Sequence, residues 1–216
     1  MPERVAALAE PEIMKHEIAA PWAEPVPDAP YPMTIAQMQA LPDDAWQYEL
    51  VDGRLVRMPG SGNKASAIAM ILASILVAFA RPRRLGRVSG PDGEYNLTLP
   101  GASTETALIP DVAFARAGRL PALDSPAASA IPHLAPDLVA EVAPPSQSRP
   151  EMAAKARRYL DAGVRLAWVV WPDDKQVDVW HPGSDTPVAT LREGDLTDGL
   201  DVLPGFTHPV SDLFSE

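Results

Sequence analysis

The sequence contains no cysteine in 216 residues. That removes disulfides, thiolate metal sites and cysteine nucleophiles, and it suits a reducing compartment. Positive charge is scarce: 18 Lys and Arg stand against 29 Asp and Glu, for a formal charge of −11. Phosphate binding normally shows as a basic footprint, so the charge balance weighs against a nucleic-acid function without removing it. Histidine is limited to His16, His133, His181 and His208, scattered without ligand spacing, which argues against zinc. No apolar run approaches the roughly 20 residues that cross a bilayer. The N-terminus alternates acids with alanines instead of showing a basic and then apolar signal, so the expected location is cytoplasmic, with no membrane partner.

What is present fits one domain of ordinary size with an extension. Residues 1–32 are expected to form a proline-rich arm, partly disordered or clasping a second subunit, and residues 33–216 the folded domain. Six prolines and six acids against two bases in residues 1–31 support that division. A short helix is conceivable over Glu12 to Ala20, with Pro21 to Pro32 extended or disordered.

Local signals then follow in order. Thr34 is a plausible N-cap for a helix over Ile35 to Leu41, and Tyr48 to Met58 reads as a hairpin turning on Asp52-Gly53. Pro59 to Lys64 has glycines and a lysine but not the spacing of a phosphate-cradling loop. Ile68, Ile71, Leu72, Ile75, Leu76 and Phe79 repeat at helical spacing as the stripe of a core helix. Arg81, Arg83, Arg84 and Arg87 crowd its end; a solvated helix end is the simpler account of them, and a phosphate contact the alternative. Val88 to Leu99 reads as a strand or loose hairpin, and Ala107 to Phe114 as another strand. Gly118 to Pro136 is long for a structureless connection and is expected to be mobile or lid-like. Gln176 to Trp180 alternates like a half-exposed strand, with short strands expected near Val188 to Leu191 and Leu200 to Leu203.

The organising stretch is Asp137 to Trp171. Leu138 to Val142 is an apolar strand whose one charge, Glu141, is costly in mid-strand unless it has a partner or a task. Pro144-Pro145 breaks the chain, Ser148 and Glu151 form a capping box around Pro150, and a helix runs to Gly163. On it, Met152, Lys155 and Tyr159 share an inward face. Asp111 is a second acid embedded in an apolar strand. Two such acids in consecutive strands, followed by an inward lysine, point toward a site for Mg²⁺ or Mn²⁺ built from oxygen ligands. A buried ion pair with a structural role is the plainer alternative. Ser146 and Ser148 have no histidine base beside them, and capping accounts for them.

Taken in order, Tyr-Glu-Leu-Val-Asp-Gly (48–53), Ile-Pro-Asp-Val (109–112), Pro-Asp-Leu-Val-Ala-Glu-Val (136–142), Lys155 to Tyr159 with Ala-Gly-Val (162–164), Trp168-Val169-Val170 and Leu-Pro-Gly-Phe (203–206) resemble the Uma-two family within the PD-(D/E)XK, or restriction-endonuclease-like, nucleases. The resemblance covers about Met33 to Phe214. It implies an α/β restriction-endonuclease-like core with a mixed central sheet flanked by helices, magnesium-dependent hydrolysis of phosphodiester bonds, a nucleic-acid partner with DNA ahead of RNA, and often a homodimer. It also implies Asp111, Glu141 and Glu49 as metal ligands. The superfamily lysine would stand two residues after Glu141, where this chain has Ala143, and Lys155 is its candidate replacement, with Gln147 second. Lys64 or Asn63 is the nearest match to a basic position at the start of the long helix, and Tyr159 a possible supporting residue. Loss of the usual lysine position leaves a nuclease fold acting as a binding or assembly module as the alternative function.

Overall fold

A computed structural model of the chain describes residues 20–215 apart from 45, 59 and 61. The helix considered over Glu12 to Ala20 lies outside the described residues except for Ala20. In chain order the elements are β1 (Glu24–Pro25), α1 (Ile35–Gln39), β2 (Tyr48–Val51), β3 (Arg54–Arg57), α2 (Gly62–Ala80), β4 (Gly86–Ser89), β5 (Tyr95–Asn96), β6 (Ala107–Leu108) and β7 (Val112–Arg116). The second half holds β8 (Leu138–Val142), α3 (Arg149–Asp161), β9 (Leu166–Trp171), β10 (Gln176–Trp180), β11 (Ala189–Leu191), β12 (Leu196–Asp198) and β13 (Thr207–Pro209), with 3₁₀ turns at Pro126–Ser129 and Val210–Leu213.

Strand alternation decides the layering. In the six-stranded sheet, ordered β11-β10-β9-β8-β7-β4, all neighbours are antiparallel except β8 and β9, which α3 joins as a parallel crossover. Val112, Phe114, Leu138, Ala140, Val142, Trp168 and Val170 pack with Ile68, Leu72 and Leu76 of α2 on one face. Ala113, Val139, Ala167 and Val169 pack on the opposite face with Met152, Ala156 and Tyr159 of α3. A five-stranded sheet, β1-β3-β2-β6-β5, covers α3 from its other side, since Val51, Val56, Leu108 and Tyr95 belong to the same apolar cluster. Helix α3 therefore lies between two sheets, and its side chains can meet groups from both.

The hairpin forms on Asp52-Gly53 with φ values of 50° and 74°. Glycine is required at the second position, because a Cβ there would fall 2.8 Å from that of Pro32. The capping box of α1 is made by Thr34 and Gln37, and that of α3 by Ser148 and Glu151, with Pro150 in the first turn.

Several expectations need correction. The apolar run Ala107 to Phe114 is two strands in different sheets, because Pro110 interrupts the ladder and Asp111 stands at the crossing. β4 and β5 likewise belong to different sheets and form no hairpin. Leu200 to Leu203 is a turn, and the strands near it are β12 and β13. All five residues of β10 are buried, since Gln176 and Asp178 turn toward Arg149 of α3 and bond it. The 118–136 connection is tied down by a 3₁₀ turn, by the Arg119–Asp137 ion pair and by the His133 ring bonded to the Thr98 carbonyl. The described part of the arm is packed: Ala20 and Trp22 are buried, and β1 pairs with β3. Helix α2, at 19 residues, is long and apolar enough to cross a membrane, contrary to the reading that no run approaches that length; its buried stripe belongs to the core just described.

Candidate active site

Glu141 is in the middle of β8 on the face that α3 covers. β7 and β8 pair with Val112 opposite Ala140. Asp111 immediately precedes β7, where continuing the register would set it across from Glu141. Asp111 Oδ2 accepts the Val142 N–H at 2.7 Å, which fixes the carboxylate beside its neighbour.

Lys155 comes from α3, one turn before Tyr159, and is 2% exposed. Its Nζ is 3.1 Å from Glu141 Oε1 and 3.2 Å from Glu49 Oε1. The Tyr159 hydroxyl donates to the same Glu141 oxygen at 2.6 Å. Glu49, in β2 of the other sheet, has no exposed surface; its Oε1 also accepts the Ile109 N–H at 3.0 Å and its Oε2 the Trp22 indole N–H at 3.1 Å. Asp111, Glu141 and Lys155 line a cavity of about 290 Å³ together with Trp46, Pro91 and Gln147. Glu49 does not line it and stands behind the lysine.

The charges do not balance. Burial pushes the Glu141 carboxyl up to about 8, with Asp111 and Glu49 adding to the rise and Lys155 opposing it. Burial also raises Asp111, against the bond from Val142 and the pull of Lys155. For Lys155, burial disfavours the charge, but Glu141, Glu49 and Asp111 outweigh it and hold the ammonium above its ordinary value. Burial raises the Tyr159 hydroxyl well above the usual range, with Glu141 next, so it stays a donor. Three carboxyl groups around one ammonium call for more positive charge, supplied by a proton or a cation.

Among the described residues no group of three or more acidic or histidine side chains is arranged to hold a metal ion. Two carboxylates do meet at the cavity, and Mg²⁺, which keeps most of its waters, is commonly held by one or two. Asp111 and Glu141 fit such an ion by donor type and by their excess negative charge; Glu49, with both oxygens committed to protein donors, does not.

Gln147 is at the site, lining the cavity and donating to the Trp22 carbonyl at 2.8 Å. Lys64 is not brought in: it is exposed and pairs with Asp173 at 2.7 Å. Asn63 is exposed as well. Ala143 is buried, and its N–H bonds the Val170 carbonyl. Two participants were not anticipated. Trp22 anchors Glu49 from within the proline-rich segment. Glu94 lies close enough to Glu49 to feel its charge, is pushed up to about 7 chiefly by burial, and has one buried oxygen with no partner among the described residues. Neither carries a local sequence signal.

With a mixed sheet and helices on both its faces, the chain has the restriction-endonuclease-like fold. Within that class the chain belongs to the Uma2 family, described as "Putative restriction endonuclease", whose model matches residues 35–211. Among solved structures, a "putative nuclease belonging to DUF820 from Anabaena variabilis ATCC 29413" is similar at a TM-score of 0.69 and 22% identity, covering 85% of this chain and 98% of that one. At that identity the likeness establishes the fold. A search of curated proteins gives no match.

Proposed function

We propose that this chain is a metal-dependent endonuclease that hydrolyses phosphodiester bonds in DNA, with Asp111 and Glu141 holding Mg²⁺ or Mn²⁺. The observation that carries this is the Lys155 ammonium held between Glu49 and Glu141 at the wall of a cavity that Asp111 also lines. When bound, the divalent ion supplies Lewis acidity toward a phosphoryl oxygen and lowers the pKa of a nearby water. Lys155, kept protonated by its two partners, offers a donor and a positive charge where the transition state gathers negative charge. Glu49 and Tyr159 position the lysine and Glu141 respectively, so neither group has to reorganise as charge develops. Gln147 and Trp46 form part of the wall that a strand would meet. A homodimer, cleaving both strands, belongs to the same reading and is checked by light scattering of the eluted protein.

Plasmid DNA incubated with the protein and Mg²⁺ is expected to be nicked, and the nicking to vanish with chelator and in Asp111→Asn. Absence of nicking at high protein concentration, together with no calorimetric Mn²⁺ signal sensitive to Glu141→Gln, would establish the non-catalytic binding module instead.

A further inference from the structure

One surface runs against the acidic character of the chain. Arg84, Arg87 and Arg116 line a cavity of about 250 Å³ in which no acidic residue takes part. Arg84 follows α2 and Arg116 ends β7, while Arg87 stands in β4, whose Gly86 pairs with Arg116. That pairing is close: a Cβ on Gly86 would lie 2.1 Å from the Ala115 carbonyl, so glycine is what lets the arginine-bearing turn approach β7. Arg84 has φ of 55°, a conformation disfavoured for a side chain of its size, and its guanidinium makes no bond or ion pair among the described residues.

Nearby carboxylates do not cancel this charge. Asp137 is buried, accepts the Arg116 N–H, and has the guanidinium groups of Arg119 at 2.7 Å, Arg116 at 3.7 Å and Arg165 at 4.0 Å, so three cations share one acid. Asp201 pairs with Arg165. Arg81 and Arg83 extend the patch along the end of α2, Arg83 stacking on Phe79.

The pocket adjoins a second cavity. Arg87 and Leu120 line both it and an adjoining cavity of about 290 Å³ that reaches Asp92, next to Pro91 at the wall of the acid cavity. Arg116 ends β7 and Asp111 immediately precedes that strand, so alternation sets the two side chains on opposite faces of the sheet.

We infer that Arg84, Arg87 and Arg116 form a phosphate site that anchors the substrate backbone away from the scissile bond. This rests on the nuclease reading above, which it deepens by placing the strand along the β4 edge. Guanidinium groups suit the task because they meet phosphate oxygens in a fixed fork and remain charged at any working pH.

The test is the affinity of the full chain for a short fluorescein-labelled duplex, read by anisotropy across a salt series with chelator present so that the strand stays intact. Arg84→Gln is expected to weaken binding about tenfold, as for one charge-assisted hydrogen bond, and to lower the slope of log affinity against log salt by about 0.9. Arg84→Lys should keep the slope. Lys175→Gln, which removes an exposed cation paired with Glu193, should leave both quantities as in the wild type. An unchanged slope in Arg84→Gln, an equal loss in Lys175→Gln, or no duplex binding by the wild type would overturn the anchor. Thermal melts confirm that Arg84→Gln is folded. If the slope falls as expected while magnesium-dependent nicking is absent, the anchor stands and the endonuclease reading falls.

Discussion

The ammonium of Lys155 is 3.1 Å from Glu141 Oε1, inside a layer where neither residue is more than 5% exposed. Removing one partner of a buried pair costs more than the pair contributes, because the remaining charge is stranded without water. Lys155→Met keeps the length of the side chain and deletes its charge, leaving Glu49 and Glu141 facing one another. The expected loss is about 3 to 5 kcal/mol of unfolding free energy, read from urea transitions, with nicking abolished. Adding Glu141→Gln to Lys155→Met should recover part of the stability and none of the activity. Independent, additive losses would mean that the two groups are not coupled as the geometry states.

Stability should depend on pH in a direction opposite to the usual behaviour of salt-bridged acids. Glu141 titrates near 4.5 when free and at about 8 in the fold. Between those values the folded state binds more protons than the unfolded one. Its contribution is complete below the lower value and is lost as pH rises through the upper one. The raised Asp111 acts in the same sense. Melting temperature of the metal-free protein should therefore fall between about pH 5 and pH 8, each unit of displacement being worth about 1.4 kcal/mol. Mg²⁺ binds the deprotonated pair, so the stabilisation it gives should grow over the same interval. A melting temperature that rises steadily across it would contradict the assignment.

Tyr159 gives a cleaner measure of the support around Glu141. Its ring is fully buried and its hydroxyl donates to the carboxylate at 2.6 Å. Tyr159→Phe keeps the ring and removes the donor, at an expected cost of about 1.5 to 3 kcal/mol above about pH 8, where Glu141 is ionised, and less below it. Because the carboxylate then loses a positioning contact, Mn²⁺ affinity measured by calorimetry should also weaken. Lost stability with unchanged metal affinity would make the hydroxyl structural and no part of the site.

Much of this arrangement could be read from local sequence. The Ser148–Glu151 capping box, Pro150 and Gly163 bound α3, and the spacing from Met152 to Tyr159 places Lys155 inward, where the structure has it. The apolar run Leu138 to Val142 isolates Glu141 as its one charged residue. What sequence could not show depends on contacts far apart in the chain. The indole of Trp22 reaches Glu49 across 27 positions, from a segment whose prolines and acids suggest a solvated leader. The switch of sheets at Pro110 is invisible because the run on either side is equally apolar. Glu94 stands just before β5, and nothing in the residues around it signals that one of its oxygens is buried without a partner among the described residues. The role of Glu49 changes for the same reason: as a motif residue it resembles a ligand, and its position behind Lys155 is set by the second sheet.

Trp22 therefore makes the packed part of the arm testable. Trp22→Phe retains most of the buried ring but removes the N–H that Glu49 Oε2 accepts. An acceptor left unpaired in the interior is expected to cost about 1 to 3 kcal/mol. Because Glu49 positions Lys155, the rate of nicking should fall while Mn²⁺ affinity, which depends on Asp111 and Glu141, changes little. Loss of metal affinity with the rate preserved would reverse that division of roles.

Asp111→Asn separates function from stability most sharply. The site holds three carboxyl groups against one ammonium; burial raises both Asp111 and Glu141, with Glu49 adding to the first and Asp111 and Glu49 to the second. An amide of the same shape can still accept the Val142 N–H that Oδ2 accepts now, so the local geometry is retained. Removing one negative charge relieves the repulsion on Glu141 and restores a lower pKa there. The metal-free variant is thus expected to melt at or above the wild-type temperature near neutral pH, while Mg²⁺ no longer shifts the melt and nicking is lost. Sites selected for binding a cation are commonly strained in its absence, and the trade is visible when the strain is removed. A variant that melts well below the wild type would show instead that Asp111 holds β7 against β8, and the excess negative charge would lose its meaning as the mark of a cation site.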